Sequence, residues 1–153
     1  MGQEARMADL KALLERGNRQ FNEHDAEGLL EYYRDDSEFE APGGMNLRGA
    51  DQIRSFLKGW FQGFPDCKVS VTNRIITGST AVEEGIFSGT HTGVFPTPMG
   101  DIQPTGRSVE GKYIDVYEFD GEKVVRDHLI FDRMELLEQL GLLPTPAAAG
   151  ASN

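Results

Sequence analysis

A carboxylate placed among aromatic side chains is a costly arrangement, and this chain makes one between Ser108 and Asp132. In the run Ser108-Val109-Glu110-Gly111-Lys112-Tyr113-Ile114-Asp115-Val116-Tyr117-Glu118-Phe119, strand alternation puts Tyr113, Asp115, Tyr117 and Phe119 on one face. Asp120-Gly121 reads as a two-residue turn, a register that sets Asp115 opposite Arg126 and Tyr113 opposite His128. Two opposing effects then act on Asp115. Burial by Tyr113, Tyr117 and helix aromatics raises its pKa, whereas a facing Arg126 lowers it. With the first in control Asp115 delivers a proton near neutral pH; with the second it stays an ionised weak base that needs an already acidic C–H. Either way the face suits enolate chemistry, with His91, His128 or a tyrosine hydroxyl donating to the developing oxyanion, a contribution of about 2.7–4 kcal/mol per donor. A plain cross-strand ion pair between Asp115 and Arg126 is the structural alternative. No metal site is expected: Asp115 sits on a different strand from either histidine, and there is no helical His-x-x-x-His or paired-carboxylate motif.

Something must hold this face in place. The chain has 153 residues, enough for one domain with a real core, expected over 1–143 with a flexible tail at 144–153. Its formal net charge of -10 opposes nucleic-acid binding. A single cysteine, Cys67, permits no internal disulfide; with no signal-peptide pattern and no membrane-length apolar run, a cytoplasmic protein is expected. Met7, Leu10, Leu13, Leu14, Gly17 and Phe21 fall at helical spacing, giving a helix from Ala5 to Asn22. Asp25 caps a short second helix carrying Leu29, Leu30 and Tyr33, and a brief strand covers Ser37 to Ala41. After Gly49 a third helix presents Ile53, Phe56, Leu57, Trp60, Phe61 and Phe64. From Lys68 the period becomes two: strands at Lys68 to Thr77 and Thr80 to Thr92, then the hairpin described above. Glu83-Glu84 reads as solvated charge, and Met134 to Leu142 as a last helix. The stretch from Gly93 to Gly106, with Pro96, Pro98 and Pro104, reads as a long loop that forms a rim or lid.

Helices followed by antiparallel strands argue for an α+β fold with helices covering one face of a curved sheet. The other face, carrying Ile114, Val116, Val125, Leu129 and Phe131, is too apolar for water and is expected to join a homodimer.

Five segments, in this order and spacing, resemble the SnoaL-like polyketide cyclases, also called ester cyclases: Phe64-Pro65-Asp66, Gly89-Thr90-His91-Thr92-Gly93, Pro104-Thr105-Gly106-Arg107, Asp115 ahead of Asp120-Gly121, and Leu137-Glu138-Gln139-Leu140-Gly141-Leu142. The likeness spans most of residues 20 to 143. It implies a cone-shaped α+β fold with a deep pocket between sheet and helices, usually dimeric. It also implies cofactor-free intramolecular aldol closure, with an aspartate as acid/base at the position of Asp115 and a histidine polarising the carbonyl at that of His91. The substrate would be a small hydrophobic carbonyl compound, with Tyr33, Trp60, Phe61, Phe87, Tyr113 and Tyr117 lining its pocket and His128 and Arg126 beside Asp115. Two departures stand out: the 93–107 loop is longer than usual, and His128 occupies the place of a tryptophan. Other readings of the same scaffold are ketosteroid-type isomerisation, epoxide hydrolysis with Asp127 or Asp132 as second carboxylate and Arg126 between, or a non-catalytic small-molecule-binding dimer.

Overall fold

The computed structural model describes residues 2–143, so the tail expected at 144–153 lies outside the described residues. Helix α1 (Gly2–Asn22) buries Leu10, Leu13 and Leu14. Asp25 caps α2 (Ala26–Leu30) by accepting a hydrogen bond from the Gly28 N–H, as its residue type favours. Strands β1 (Tyr33–Ala41) and β2 (Met45–Arg48) form a hairpin ahead of α3 (Gly49–Gly63). Then come β3 (Lys68–Thr77), β4 (Thr80–Thr90), the short β5 (Phe95–Thr97) and β6 (Gly100–Ile102), β7 (Ser108–Asp120), β8 (Lys123–Phe131) and α4 (Arg133–Gln139).

Six strands make one curved sheet in the order β2-β1-β8-β7-β4-β3. The expected α+β class is observed, with one difference: β1 runs parallel to β8, so the sheet is mixed. Helix α1 packs on β3 and α3 on β1, leaving a space between helices and sheet. Among the described residues no helix is long and apolar enough to cross a membrane.

The expected long loop is instead a folded hairpin. Strand β5 pairs with β6 and lies on α3, where Phe95 is buried against Phe64 and Trp60. The glycine at position 63 makes this possible, because a Cβ there would stand 2.7 Å from the Phe95 Cβ. The hairpin backs the wall behind Trp60 and contributes no side chain to the cavity, so it is not the lid the sequence suggested.

The sharpest correction concerns register. The turn is Gly121-Glu122, Asp120 pairs with Lys123, and a bulge interrupts the ladder between Phe119 and Glu118, leaving Val125 as the extra residue. Downstream of the bulge Tyr117 faces Asp127, Asp115 faces Leu129 and Tyr113 faces Phe131. Side chains directly opposite share a face, so Asp127, Leu129 and Phe131 turn toward the helices. Arg126 and His128 pair with Glu118 and Val116 and turn outward.

Candidate active site

The space between sheet and helices is a cavity of about 170 Å³. Phe56, Leu57 and Trp60 of α3 wall one side, and Leu13, Leu14, Gly17 and Asn18 of α1 the other. All four tyrosines line it, as do Phe87 and, away from the exposed rim, the acidic side chains Glu83, Asp115 and Asp127. Its solvent-exposed lining residues, Glu110, Lys112, Asp132 and Glu135, cluster with the half-buried Gln139 where β7 meets α4, which marks the mouth. Gln139 clips α4 to that edge: its side-chain amide donates to the Glu110 carbonyl at 2.8 Å and accepts from the Glu110 N–H at 2.7 Å.

Asp115 on β7 and Asp127 on β8 are diagonal neighbours in the ladder, and both line the cavity floor. Asp127 is 2 % exposed; its Oδ2 accepts the Tyr33 hydroxyl at 2.9 Å, while no donor among the described residues reaches its Oδ1. Two carboxylates buried in one cavity disfavour each other's ionised form. Burial pushes Asp127 well above the usual carboxylate range, helped by the Asp115 charge, and Tyr33 only partly offsets this. Asp127 is therefore the carboxyl that stays protonated at neutral pH. Asp115 keeps part of its surface open, toward the cavity. Burial pushes its pKa from 3.8 up to about 6; the neighbouring Asp127 pulls down, the Glu83 charge pushes up, and Tyr117 and His128 pull down again. At neutral pH the pair carries a single negative charge, on Asp115.

The three tyrosine hydroxyls nearest the pair differ in what they are free to do. Tyr33 donates to Asp127, and burial raises the Tyr33 and Tyr117 phenols well above their ordinary range. Tyr113 hydrogen-bonds to no other side chain among the described residues and stays protonated, its pKa raised by burial. Its ring lies flat over Gly85, directly opposite on β4, where a Cβ would stand 2.5 Å from the hydroxyl.

Of the ten residues singled out from sequence, Asp115, Tyr33, Trp60, Phe87, Tyr113 and Tyr117 meet in this cavity. Phe61 does not line it; it stacks on His24 and packs edge-on to Phe21. His91 is fully buried outside the cavity, where its Nδ1 accepts the Thr105 N–H at 3.2 Å and its backbone bonds Arg107 and Gly106. Burial lowers its pKa, against the pull of the Ile102 and Gly93 carbonyls, so it is a neutral clamp at the base of the β5–β6 hairpin. Arg126 and His128 lie on the outer sheet face beside Glu40, at 3.3 and 3.7 Å. No arginine therefore stands between the two carboxyls, as the epoxide-hydrolase alternative required. Leu129 and Phe131, expected on the outer face, line the cavity.

Sequence reasoning missed Glu83 and named Asp127 only within the epoxide-hydrolase alternative. Asp127 would have emerged had Leu129 and Phe131 been taken as the buried phase of β8, since Asp127 shares their alternation. Glu83, read as solvated, is 1 % exposed; the apolar partners of its phase, Ala81 and Phe87, were the available signal.

No curated protein matches the chain. Solved structures similar to it include AclR of Streptomyces galilaeus, a candidate hydroxylase, at 24% identity, covering 95% of each chain with a TM-score of 0.77. TsrD of Streptomyces laurentii is also 24% identical, covering 89% of this chain and 97% of its own, with a TM-score of 0.73. IdmH of Streptomyces antibioticus, a candidate polyketide cyclase, has 24% identity, 86% and 97% coverage and a TM-score of 0.70. These likenesses bear on the fold. The profile of the SnoaL-like polyketide cyclases matches residues 11–140, the stretch that carries both walls and the whole floor of the cavity, and the chain belongs to that family.

Proposed function

We propose that this chain is a cofactor-independent acid/base enzyme of the cyclase type, acting at a carbon next to a carbonyl in a small, largely apolar substrate. The observation that carries the reading is the part-open Asp115 carboxyl set beside the buried Asp127 inside an aromatic cavity. Asp115, ionised at neutral pH yet more basic than a solvated carboxylate, removes the proton from the activated carbon. The enolate carbon then bonds to a second carbonyl carbon of the same molecule, and the new alkoxide takes the proton back from Asp115. Tyr113 donates to the enolate oxygen, since its hydroxyl serves no other side chain on the floor. A cavity of about 170 Å³ suits one ring at the floor, comparable with the roughly 150 Å³ that holds benzene in an engineered cavity; the rest of the substrate reaches toward the mouth. The outer face, where Ile75, Val82, Ile114, Val116 and Ile130 form an apolar band, pairs two such chains in a homodimer.

Turnover of a panel of neutral β-keto esters tests the chemistry. Asp115→Asn should lower kcat/KM by about 10²–10⁴, and Tyr113→Phe by about 10². Arg126→Met, on the far face, should leave it unchanged. Full turnover by Asp115→Asn would remove Asp115 from the chemistry, and no turnover of the panel by the natural chain would leave a binding module.

A further inference from the structure

We propose that the buried Glu83–Arg74 pair is a positioning device for Asp115, a fixed negative charge held directly across the sheet that keeps Asp115 basic enough to take a proton from carbon. This rests on the acid/base reading above and adds a residue to it.

The geometry is specific. Glu83 is the β4 partner of Asp115 in the β4–β7 ladder, so the two side chains leave the same sheet face about 4.5–5.5 Å apart at their Cβ atoms. Like charges directly opposite destabilise a sheet, and a buried ion pair is often no more stabilising than apolar residues of the same volume. The arrangement thus has no stability rationale of its own. Three donors converge on one oxygen: Glu83 Oε2 accepts Arg74 Nη2 at 2.6 Å, Arg74 Nε at 2.7 Å and Asn18 Nδ2 at 3.1 Å. Among the described residues no hydrogen bond reaches Oε1. Arg74 is steadied from behind by Glu15, 3.8 Å from its Nη1. The guanidinium comes from β3, one strand farther from Asp115 than the carboxylate it holds, so the nearer charge that Asp115 faces is negative.

The other groups around Asp115 do not reproduce this effect. Asp127 and Tyr117 favour its ionised form, Tyr33 is turned to Asp127, and Tyr113 is a neutral phenol. His128 acts through the sheet from the outer face and favours the ionised form. Lys112, Asp132 and Glu135 stand at the exposed mouth, and α1, α2 and α3 line the cavity with uncharged residues only.

The test is a carboxyl-carbon NMR titration of aspartate-labelled protein, which needs no substrate. The Asp115 resonance, followed as the lower of the two carboxyl steps, should have its midpoint at about 6 in the natural chain. In Glu83→Gln the midpoint should fall by about one unit, and Arg74→Lys should leave it in place. Should Glu83→Gln fail to fold, the double variant Glu83→Leu, Arg74→Leu removes both charges with apolar volume, and there too the midpoint should fall. A midpoint that stays or rises in the variant that folds overturns the proposal. Failure of the catalytic reading is a separate result: Asp115→Asn would keep its turnover while the Glu83 effect on the titration persisted.

Discussion

Replacing Asp115 by asparagine should make the protein more stable at neutral pH and leave it unchanged in acid. The folded protein raises the Asp115 pKa from 3.8 to about 6, chiefly by burial. Between those values the folded form holds a proton that the unfolded chain has lost, so stability falls as pH rises through this window and stays lower above it. At 1.36 kcal/mol per unit the penalty at pH 7.5 is at most about 3 kcal/mol, and less to the extent that the cavity hydrates Asp115. One kcal/mol corresponds to about 2–4 °C in a chain of this size, so Asp115→Asn should raise Tm by about 5 °C or more at pH 7.5. The gain should shrink as the pH is lowered toward 4. Thermal unfolding of both proteins across this range, followed by circular dichroism, measures it. A variant less stable than the natural chain at pH 7.5 would mean that Asp115 is held by favourable partners rather than kept at a cost, and the reasoning about the floor would fail.

Gly85→Ala pushes a methyl group into the Tyr113 ring and hydroxyl, which should cost about 1–3 kcal/mol and swing the phenol away from the floor; urea unfolding gives the first and ligand affinity the second. The outer-face dimer should survive at micromolar concentration in sedimentation experiments and dissociate when Val116→Glu places a charge on the apolar band, whereas a monomeric natural chain would refute it.

The β7 face was legible because alternation alone decides it: Tyr113, Asp115 and Tyr117 share a side whatever their partners do. What faces them was not, because register depends on where the turn begins and whether the ladder stays regular. Here the turn starts one residue later than Asp120-Gly121 suggests, and the bulge at Val125 adds another step. Together they exchange Arg126 and His128 for Leu129 and Phe131 opposite the β7 face, and set Asp127 beside Asp115. Glu83 was hidden for a different reason. Its countercharge lies nine residues back in sequence, on β3, and a pair of adjacent glutamates gives no sign that one of them faces inward. His91 and the 93–106 segment were misplaced together, since the small residues Gly59 and Gly63 that let a hairpin lie down on α3 look like ordinary weak points in a helix.

The bulge also bears on how such a site changes over generations. If the β7–β8 ladder ran on without interruption from the Phe119–Val124 pair, His128 would stand opposite Asp115 and Arg126 opposite Tyr117. The acid partner would then be replaced by an imidazole and a guanidinium with every codon of the floor intact. A descendant that anneals the bulge would thus try a base-rich chemistry in one step. Substitutions that fix or release the bulge, at Val124 to Arg126 on the strand margin, are therefore where a new activity in this lineage would first become visible.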